Sequence, residues 1–399
     1  MLDGKTIVLG VTGGIAAYKA AEVVRSFVKA GANVQVVMTA NARQFVSPLT
    51  LQTLSGQPVC TDLFDLGLES QIGHIQVARA AHLIMVIPAT ANIIAKMAAG
   101  IADDYLTTVL LAATAPIVVC PAMNVKMYEN PVVQRNLETL RQRGCIIVEP
   151  EAGELACKEE GTGRLAELTT ILETAHRALT PGSLAGRRVL VSAGPTWEAF
   201  DPVRYISNPS TGKMGYALAT VAARRSAEVH LVSGPTYLHP PLGVHLHRIV
   251  TALQMEECIT GLARDMDVII MAAAVGDYRP AEASPHKVKK AEGDLWVQLL
   301  RNPDILAGLG QRRRDGQVLV GFAAETENLV ENAMQKLTQK RLDFIVANNL
   351  VNPGSGFGCD TNEVKIIRKD GSMDELPRMP KERVAGEILN RIESLLAST

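Results

Sequence analysis

Two doubly wound α/β domains, each built on a parallel sheet, are what this sequence predicts, and three observations carry the prediction. The chain starts twice: Leu2-Asp3-Gly4-Lys5-Thr6-Ile7-Val8-Leu9-Gly10-Val11-Thr12 returns in pattern, almost halfway along, as Leu184-Ala185-Gly186-Arg187-Arg188-Val189-Leu190-Val191-Ser192-Ala193-Gly194. Each start is a polar turn feeding a short β-branched apolar run, which reads as the buried first strand of a sheet turning into a helix. Second, 399 residues exceed what one core holds, since single cores stop growing near about 250–300 residues. Third, hydrophobic content is 47% with only 4% aromatic, the Val, Ile, Leu and Ala packing that Rossmann-like sheets use. Because a glycine turn at a helix start lets backbone N–H groups approach a phosphate, two phosphate-bearing ligands are expected, one per half.

Along the first half, Thr6 to Val11 reads as a strand and Gly13-Gly14 as a turn. Ala16 to Ala30 reads as a helix with Ala20, Val23, Val24 and Phe27 on one face. Gly31 closes that helix, Asn33 to Met38 alternates into a second strand, and Thr39 caps a short helix. Leu83 to Ile87 and Pro116 to Cys120 are further strands, with helices near Ile93 to Ala99, Asp104 to Ala113, Val132 to Arg143 and Thr169 to Leu179. Thr180-Pro181-Gly182-Ser183 is a breaker, so the domains are placed at 1–180 and 181–399. In the second half the strands are Arg188 to Ser192, Glu228 to Ser233, Val268 to Ala272, Val318 to Ala323 and Phe344 to Ala347. Helices lie near Met214 to Arg225, Ala252 to Arg264 and Leu329 to Gln339, again a parallel α/β pattern.

Composition removes several function classes. Forty basic against forty-one acidic residues leave no global field for nucleic acid or an anionic membrane. No apolar run reaches about 18 residues, so a membrane span is not expected, and the N-terminus enters a strand directly, unlike a cleavable leader. Six cysteines without a Cys-x-x-Cys pair fit reduced thiols, hence a cytoplasmic location.

The turn Gly10-Val11-Thr12-Gly13-Gly14-Ile15-Ala16-Ala17 is not Gly-x-Gly-x-x-Gly, and Lys19 lacks the following Ser or Thr of a P-loop. By itself it fits a tight strand-to-helix turn as well as a phosphate site. Pro88-Ala89-Thr90-Ala91-Asn92 and Pro121-Ala122-Met123-Asn124 follow later strands, placing small, hydroxyl and amide residues where a flat ring or a phosphate meets backbone. With Gly73-His74-Ile75 and Gly153-Glu154-Leu155-Ala156-Cys157 they form four motifs in order, and together these resemble the flavin-containing cysteine decarboxylases of the phosphopantothenoylcysteine type.

That resemblance implies FMN, held by Gly13, Gly14, Ile15, Ala16, Thr39, Phe45, Pro88, Ala89, Thr90, Asn92 and Met123, in trimers whose neighbouring protomers complete each site. It implies a substrate ending in a cysteine carboxylate. Such a carboxylate has no electron sink until its thiol becomes a thioaldehyde, which places C=S β to the carboxylate; the hydride goes to the flavin. His74 is then the acid/base group near the substrate, although a lone histidine is more often solvated or capping. Asn124 binds the substrate carboxylate beside Met123. Cys157, in a segment between Gly153 and Gly161-Thr162-Gly163-Arg164 that looks like a hinged flap, protonates the enethiol. Lys158 stands where a glycine usually follows that cysteine, which would stiffen the flap or lower the thiol pKa.

Gly194-Pro195-Thr196-Trp197-Glu198 and Ile206-Ser207-Asn208-Pro209-Ser210-Thr211-Gly212-Lys213-Met214-Gly215 flank a second candidate mouth, which loop composition alone reads equally as a capped helix after an irregular loop. With Ala272-Ala273-Ala274-Val275-Gly276-Asp277-Tyr278, Lys287-Val288-Lys289-Lys290, Asn302-Pro303-Asp304-Ile305 and Gly321-Phe322-Ala323-Ala324-Glu325-Thr326, they resemble the bacterial phosphopantothenate-cysteine ligases. The resemblance implies that the carboxylate of 4'-phosphopantothenate attacks CTP, with Mg2+, and that the amine of L-cysteine displaces CMP from the acyl-cytidylate. Asn208 would hold the acyl carbonyl, Lys287 the developing phosphate charge, and Asp277 the nucleotide or metal. Ala272, Ala273, Pro303, Asp304, Ile305, Leu306, Phe322, Lys336 and Lys340 complete the implied nucleotide site. The last two lie four apart on one helix face, ordinarily solvated charge and, against a triphosphate, a clamp. Metal ligands are not identified. The expected assembly is a homo-oligomer of decarboxylase trimers and ligase dimers, a dodecamer by analogy. Alternatives are a nicotinamide-dependent oxidoreductase, which lacks its glycine fingerprint in both halves, and a flavin-binding regulatory subunit.

Overall fold

The structure, a computed structural model, describes residues 2–64, 73–154, 160–290, 294–325, 328–349, 356 and 358–397. It divides into two compact units, Met1–Pro181 and Gly182–Thr399.

In the first unit, β1 (Thr6–Val11), β2 (Asn33–Met38), β3 (Leu83–Ala89), β4 (Ile117–Pro121) and β5 (Ile146–Ile147) form a parallel sheet in the order β2-β1-β3-β4-β5. Alternate residues of β1 enter opposite cores. Ile7, Leu9 and Val11 meet Val23, Val24 and Phe27 of α1 (Ala20–Lys29), Leu51 of α2 (Pro48–Ser55), and more distant helical residues on the same face. Val8 faces the opposite layer, formed by α3 (His74–Ala80), α4 (Ala91–Ala99), α5 (Tyr105–Ala112) and, after the short α6 (Val125–Tyr128), α7 (Pro131–Gln142). Covering both faces is why these strands read as unbroken apolar runs. Phe27 is fully buried, so its truncation to alanine would cost about 3–5 kcal/mol. An antiparallel pair, β6 (Glu151–Glu154) and β7 (Glu160–Arg164), precedes α8 (Leu168–Leu179), whose Ile171 and Ala175 join the first layer.

One expected helix is divided. Ile15–Lys19 is a 3-10 turn, and the α-helix begins only at Ala20. The N–H of Ala17 returns to the Gly14 carbonyl at 2.9 Å, the tighter closure that a chain leaving an extended glycine adopts.

The second unit has a larger sheet. β8 (Arg188–Ala193) is followed by a small antiparallel pair, β9 (Glu198–Ala199) and β10 (Tyr205–Ile206), and then by α9 (Lys213–Arg224). β11 (Glu228–Ser233), β12 (Val244–Arg248), α10 (Ala252–Ala263) and β13 (Val268–Met271) come next. A second antiparallel pair, β14 (Tyr278–Pro280) and β15 (Leu299–Arg301), precedes α11 (Ile305–Arg312), β16 (Val318–Glu325), α12 (Leu329–Gln339) and β17 (Phe344–Asn349). β18 (Thr361–Arg368), β19 (Met373–Pro380) and α13 (Lys381–Ala397) end the chain. The main sheet runs β12-β11-β8-β13-β16-β17-β18-β19. Its first six strands are parallel, and β18 and β19 are antiparallel.

That antiparallel edge, β12 and α13 are additions to the five-strand parallel reading. β19 buries only Leu376 along its length, so the alternation that marks a strand is nearly absent from its sequence. α13 and α9 cover one face through Val384, Ile388, Leu389, Ile392, Leu218 and Val221, while α10, α11 and α12 cover the other.

Candidate functional site

In the first unit the chain leaves β1 for β2 on one side and later enters β3 on the other, so the loops after β1 and β3 part and leave a crevice at the carboxyl ends of the strands. Thr12 closes its floor. The buried hydroxyl donates to the Pro88 carbonyl at 2.6 Å and accepts the Thr90 N–H at 3.2 Å. At Gly13 a Cβ would lie 2.4 Å from Asn41 Cβ, so only glycine lets the loop after β2 approach. In that loop, Thr39 donates its N–H to the Val11 carbonyl and its hydroxyl accepts the Ala42 N–H at 3.3 Å.

The implied cofactor residues gather at this edge. Gly13, Gly14, Ile15 and Ala16 follow β1, Thr39 and Phe45 follow β2, Thr90 caps α4 above the end of β3, Asn92 lies in its first turn, and Met123 follows β4. Pro88 and Ala89 are buried within β3 and offer backbone, whereas Ile15 and Phe45 are 61% and 49% exposed and offer apolar surface. Backbone amides, one threonine cap and exposed apolar side chains, without a fixed charge, suit a flat ring carrying a phosphate.

His74 opens α3, which runs back from this edge to the start of β3. Its ring meets Tyr105, at the start of α5, edge-on, with centroids 6.3 Å apart. Asn124 caps α6, its Oδ1 accepting the Lys126 N–H at 2.8 Å. Cys157 and Lys158 lie outside the described residues. The strands on either side of them are anchored beside Asn124: the Met123 N–H donates to the Gly163 carbonyl, and a Cβ at Gly163 would lie 2.3 Å from the Met123 carbonyl oxygen. Three other thiols are poor nucleophiles, since burial pushes Cys120, Cys145 and Cys258 above the ordinary range.

The second unit repeats the crevice between β8 and β13. Here Ser192 and Thr196 tie the loops: the Ser192 hydroxyl accepts the Ala273 N–H at 3.1 Å, and that of Thr196 accepts the Gly276 N–H at 2.9 Å. Asn208 donates its amide to the carbonyls of Ala274 and Val275, both at 3.1 Å, so an acyl carbonyl would compete with these for its N–H groups. Asp277 is exposed, and its carbonyl accepts the Asn302 N–H.

Lys287 is exposed on a loop moored by its neighbour. The Val288 N–H donates to Asp201 at 3.2 Å, and Arg204 bridges the same carboxylate and the Val288 carbonyl. Arg204, followed by three backbone N–H groups, holds the Asp201 carboxyl well below the usual range. This anchor was absent from the sequence reading, although the three-residue spacing of Asp201 and Arg204 is its signal.

Pro303, Asp304, Ile305 and Leu306 enter α11, with Asp304 as its cap. Lys340 lies 2.9 Å from Asp304, and Lys336 is one turn earlier on α12. Burial works against the Asp304 charge, but the Ala307 N–H, Lys340 and Lys336 overcome it and lower the pKa. Lys340 therefore already holds a carboxylate. Across the strand tips, Ala272, Ala273 and Phe322 line a cavity of about 120 Å³ with Ser210, Gly212 and Lys213 of the expected mouth and with Asn348 and Lys381, which no motif in the sequence singles out. The last two come from the end of β17 and the start of α13. Among the described residues no group of three His, Cys, Asp or Glu side chains could hold a metal.

No helix among the described residues is long and apolar enough to cross a membrane. The family model described as "Flavoprotein" matches residues 1–180, and that of the DNA/pantothenate metabolism flavoprotein C-terminal domain matches residues 184–396. A "Coenzyme A biosynthesis bifunctional protein CoaBC" of Bacillus subtilis is 48% identical over 403 aligned positions, covering 100% of this chain and 99% of its own. Its namesake from Vibrio cholerae is 44% identical, covering 98% of each. The solved C-terminal domain of a protein with the same name is 44% identical, covers 55% of this chain and 100% of its own, and has a TM-score of 0.47.

Proposed function

The chain belongs to the family of bifunctional coenzyme A biosynthesis proteins, and from that premise we propose that its second unit ligates L-cysteine to 4'-phosphopantothenate with CTP and its first unit decarboxylates the product to 4'-phosphopantetheine. The supporting observation is that two crevices of opposite character stand at the same place in two related sheets. The candidate residues of the first that the structure describes carry no fixed charge, which suits a flavin ring, whereas Lys213 and Lys381 line the cavity of the second, which suits a triphosphate.

In the first unit the flavin, FMN in this reading, supplies the electron sink that a saturated cysteine lacks. Gly13, Gly14, Ile15, Ala16, Thr39, Phe45, Pro88, Ala89, Thr90, Asn92 and Met123, which gather at the strand ends, would hold it through backbone, cap and apolar surface. His74 moves the thiol proton. Asn124 orients the carboxylate, which leaves as carbon dioxide once its β carbon is part of a C=S bond. Cys157 would supply a proton to the resulting enethiol, whose reduction to the product thiol would use the two electrons that the flavin took from the substrate. The Gly163–Met123 contact supports the last step, because it roots the strand beyond Cys157 beside the carboxylate loop.

In the second unit a carboxylate is a poor electrophile, so it attacks the α-phosphorus of CTP and expels pyrophosphate. Attack by the cysteine amine then expels CMP. Ala272, Ala273, Phe322 and the cavity beside them hold the nucleotide, with Lys336, Lys340 and the Pro303–Leu306 turn on the far side of the strand tips. Lys287 neutralises phosphate charge, and Asn208 shapes the acyl subsite through the Ala274–Val275 backbone. Mg2+ would accompany the triphosphate, with Asp277 as a candidate carboxylate for the nucleotide or the metal.

The same proposal includes decarboxylase trimers and ligase dimers, joined in a dodecamer. Exposed Ile15, Tyr18, Phe45 and Leu49 on the first unit are apolar surface for such contacts. Incubating pure protein with 4'-phosphopantothenate, cysteine and CTP tests the whole reading by product mass. A yellow protein yielding 4'-phosphopantetheine, carbon dioxide, CMP and pyrophosphate is expected. Colourless protein that refuses FMN and prefers no nucleoside triphosphate would refute it.

A further inference from the structure

Lys381, the first residue of α13, is 7% exposed. A lysine ammonium is expensive to bury, and a buried one normally lies against a carboxylate. Among the described residues Lys381 has no ion pair. Its Nζ donates instead to the carbonyls of Gly356 and Thr361, at 3.1 and 3.3 Å, and to that of Cys359. The nearest acid, Asp360, is 90% exposed at its side chain and pairs with Lys213 at 2.7 Å. Carbonyl dipoles satisfy the three protons of the ammonium, and the exposed Asp360, which pairs with Lys213, offsets its charge only in part.

That charge is part of the wall of the cavity lined by Ser210, Gly212, Ala272, Phe322 and Asn348. Two of its anchors belong to the same wall or adjoin it: Gly356 lines the cavity, and Thr361 precedes Asn362, which is buried and lines it too. One side chain therefore ties the carbonyls of Gly356, Cys359 and Thr361 together and brings a positive charge to the cavity.

Resting on the nucleotide reading of this cavity, we propose that Lys381 is a binding residue for the polyphosphate of the nucleotide, held by the carbonyls of Gly356, Cys359 and Thr361 and offsetting phosphate charge from below the strand tips. The anion would supply the compensation that Asp360 gives only in part. Folding bears the cost of the buried charge, and binding recovers it.

Calorimetric titration of the full chain with CTP and with CMP, for the wild type, Lys381→Gln and Lys381→Arg, tests this. Glutamine can still donate to two of the carbonyls but carries no charge. Its CTP dissociation constant should rise by about 10- to 100-fold, with a clearly smaller loss for CMP, whereas arginine should restore CTP binding to within a few-fold of wild type. Equal losses for CTP and CMP, or no loss in Lys381→Gln, would overturn the proposal. If Lys381→Gln does not fold, Lys381→Arg decides. Arginine binding CTP like wild type supports the role of charge, and folded arginine protein that loses CTP and CMP alike refutes it. Wild-type protein that binds no nucleoside triphosphate would instead sink the nucleotide reading itself.

Discussion

The two crevices occupy equivalent places in two parallel sheets, yet they are finished differently. In the first unit one buried hydroxyl, Thr12, joins the loops, and the only titratable side chain among the described candidates is His74. In the second, Ser192, Thr196 and Asn208 make the ties, and Lys213 and Lys381 line the cavity beside them. Topology sets where a ligand collects, and the side chains at the rim set its charge. An uncharged ring with one phosphate needs amides and apolar surface, and a triphosphate needs fixed cations.

Separate sites predict separable losses, and this is the largest effect expected. His74→Asn should slow carbon dioxide release by about 10²- to 10⁴-fold while ligation continues and phosphopantothenoylcysteine accumulates. Lys287→Met should slow CTP-dependent ligation by about 10²-fold or more while added phosphopantothenoylcysteine is still decarboxylated. Assaying the two half-reactions separately checks both; a single substitution that stops both would break the comparison.

Acid should distinguish the units next. Carboxyls held below the ordinary range at Asp201, Asp267, Asp304, Asp360, Asp370 and Asp374 all belong to the second unit, against Asp103 alone in the first among the described residues. A depressed carboxyl contributes stability that is present above its unfolded value, near about 3.9, and is lost as pH falls through the folded value. The second unit should therefore unfold first as pH drops below about 4. Calorimetry with flavin absorbance as the reporter of the first unit would show it, and loss of the flavin signal at the higher pH would contradict it.

The smallest effect sharpens the floor of the first crevice. Thr12→Val leaves the Pro88 carbonyl and Thr90 N–H without their buried partner, at a cost of about 1–3 kcal/mol. FMN affinity should weaken by roughly 5- to 100-fold if that cost falls on the bound state. Flavin fluorescence titration would measure this, and an unchanged affinity would mean that the tie does not shape the site.

Much of this was legible in the chain. The repeated start, β1, β2, β3, β8, β11, β13 and β16, and most of the helices that cover them, though not α3, α11 or α13, follow from unbroken apolar runs and 3.6-residue spacing, because both faces of a parallel sheet are buried. The loops after the strands, where the candidate residues gather, follow from the same logic.

Other features needed the folded chain. β19 exposes all but one of its side chains fully or partly and is a strand only because β18 pairs with it. The Asp201–Arg204–Val288 anchor joins residues 87 apart in sequence, and the Lys381 cavity joins the starts of α9 and α13, so no local pattern contains either. Hydrophobic periodicity is a property of neighbours along the chain and specifies elements by itself. A polar site is a convergence of residues from distant elements, and its hydrogen bonds and charges exist only once the sheets have brought them together.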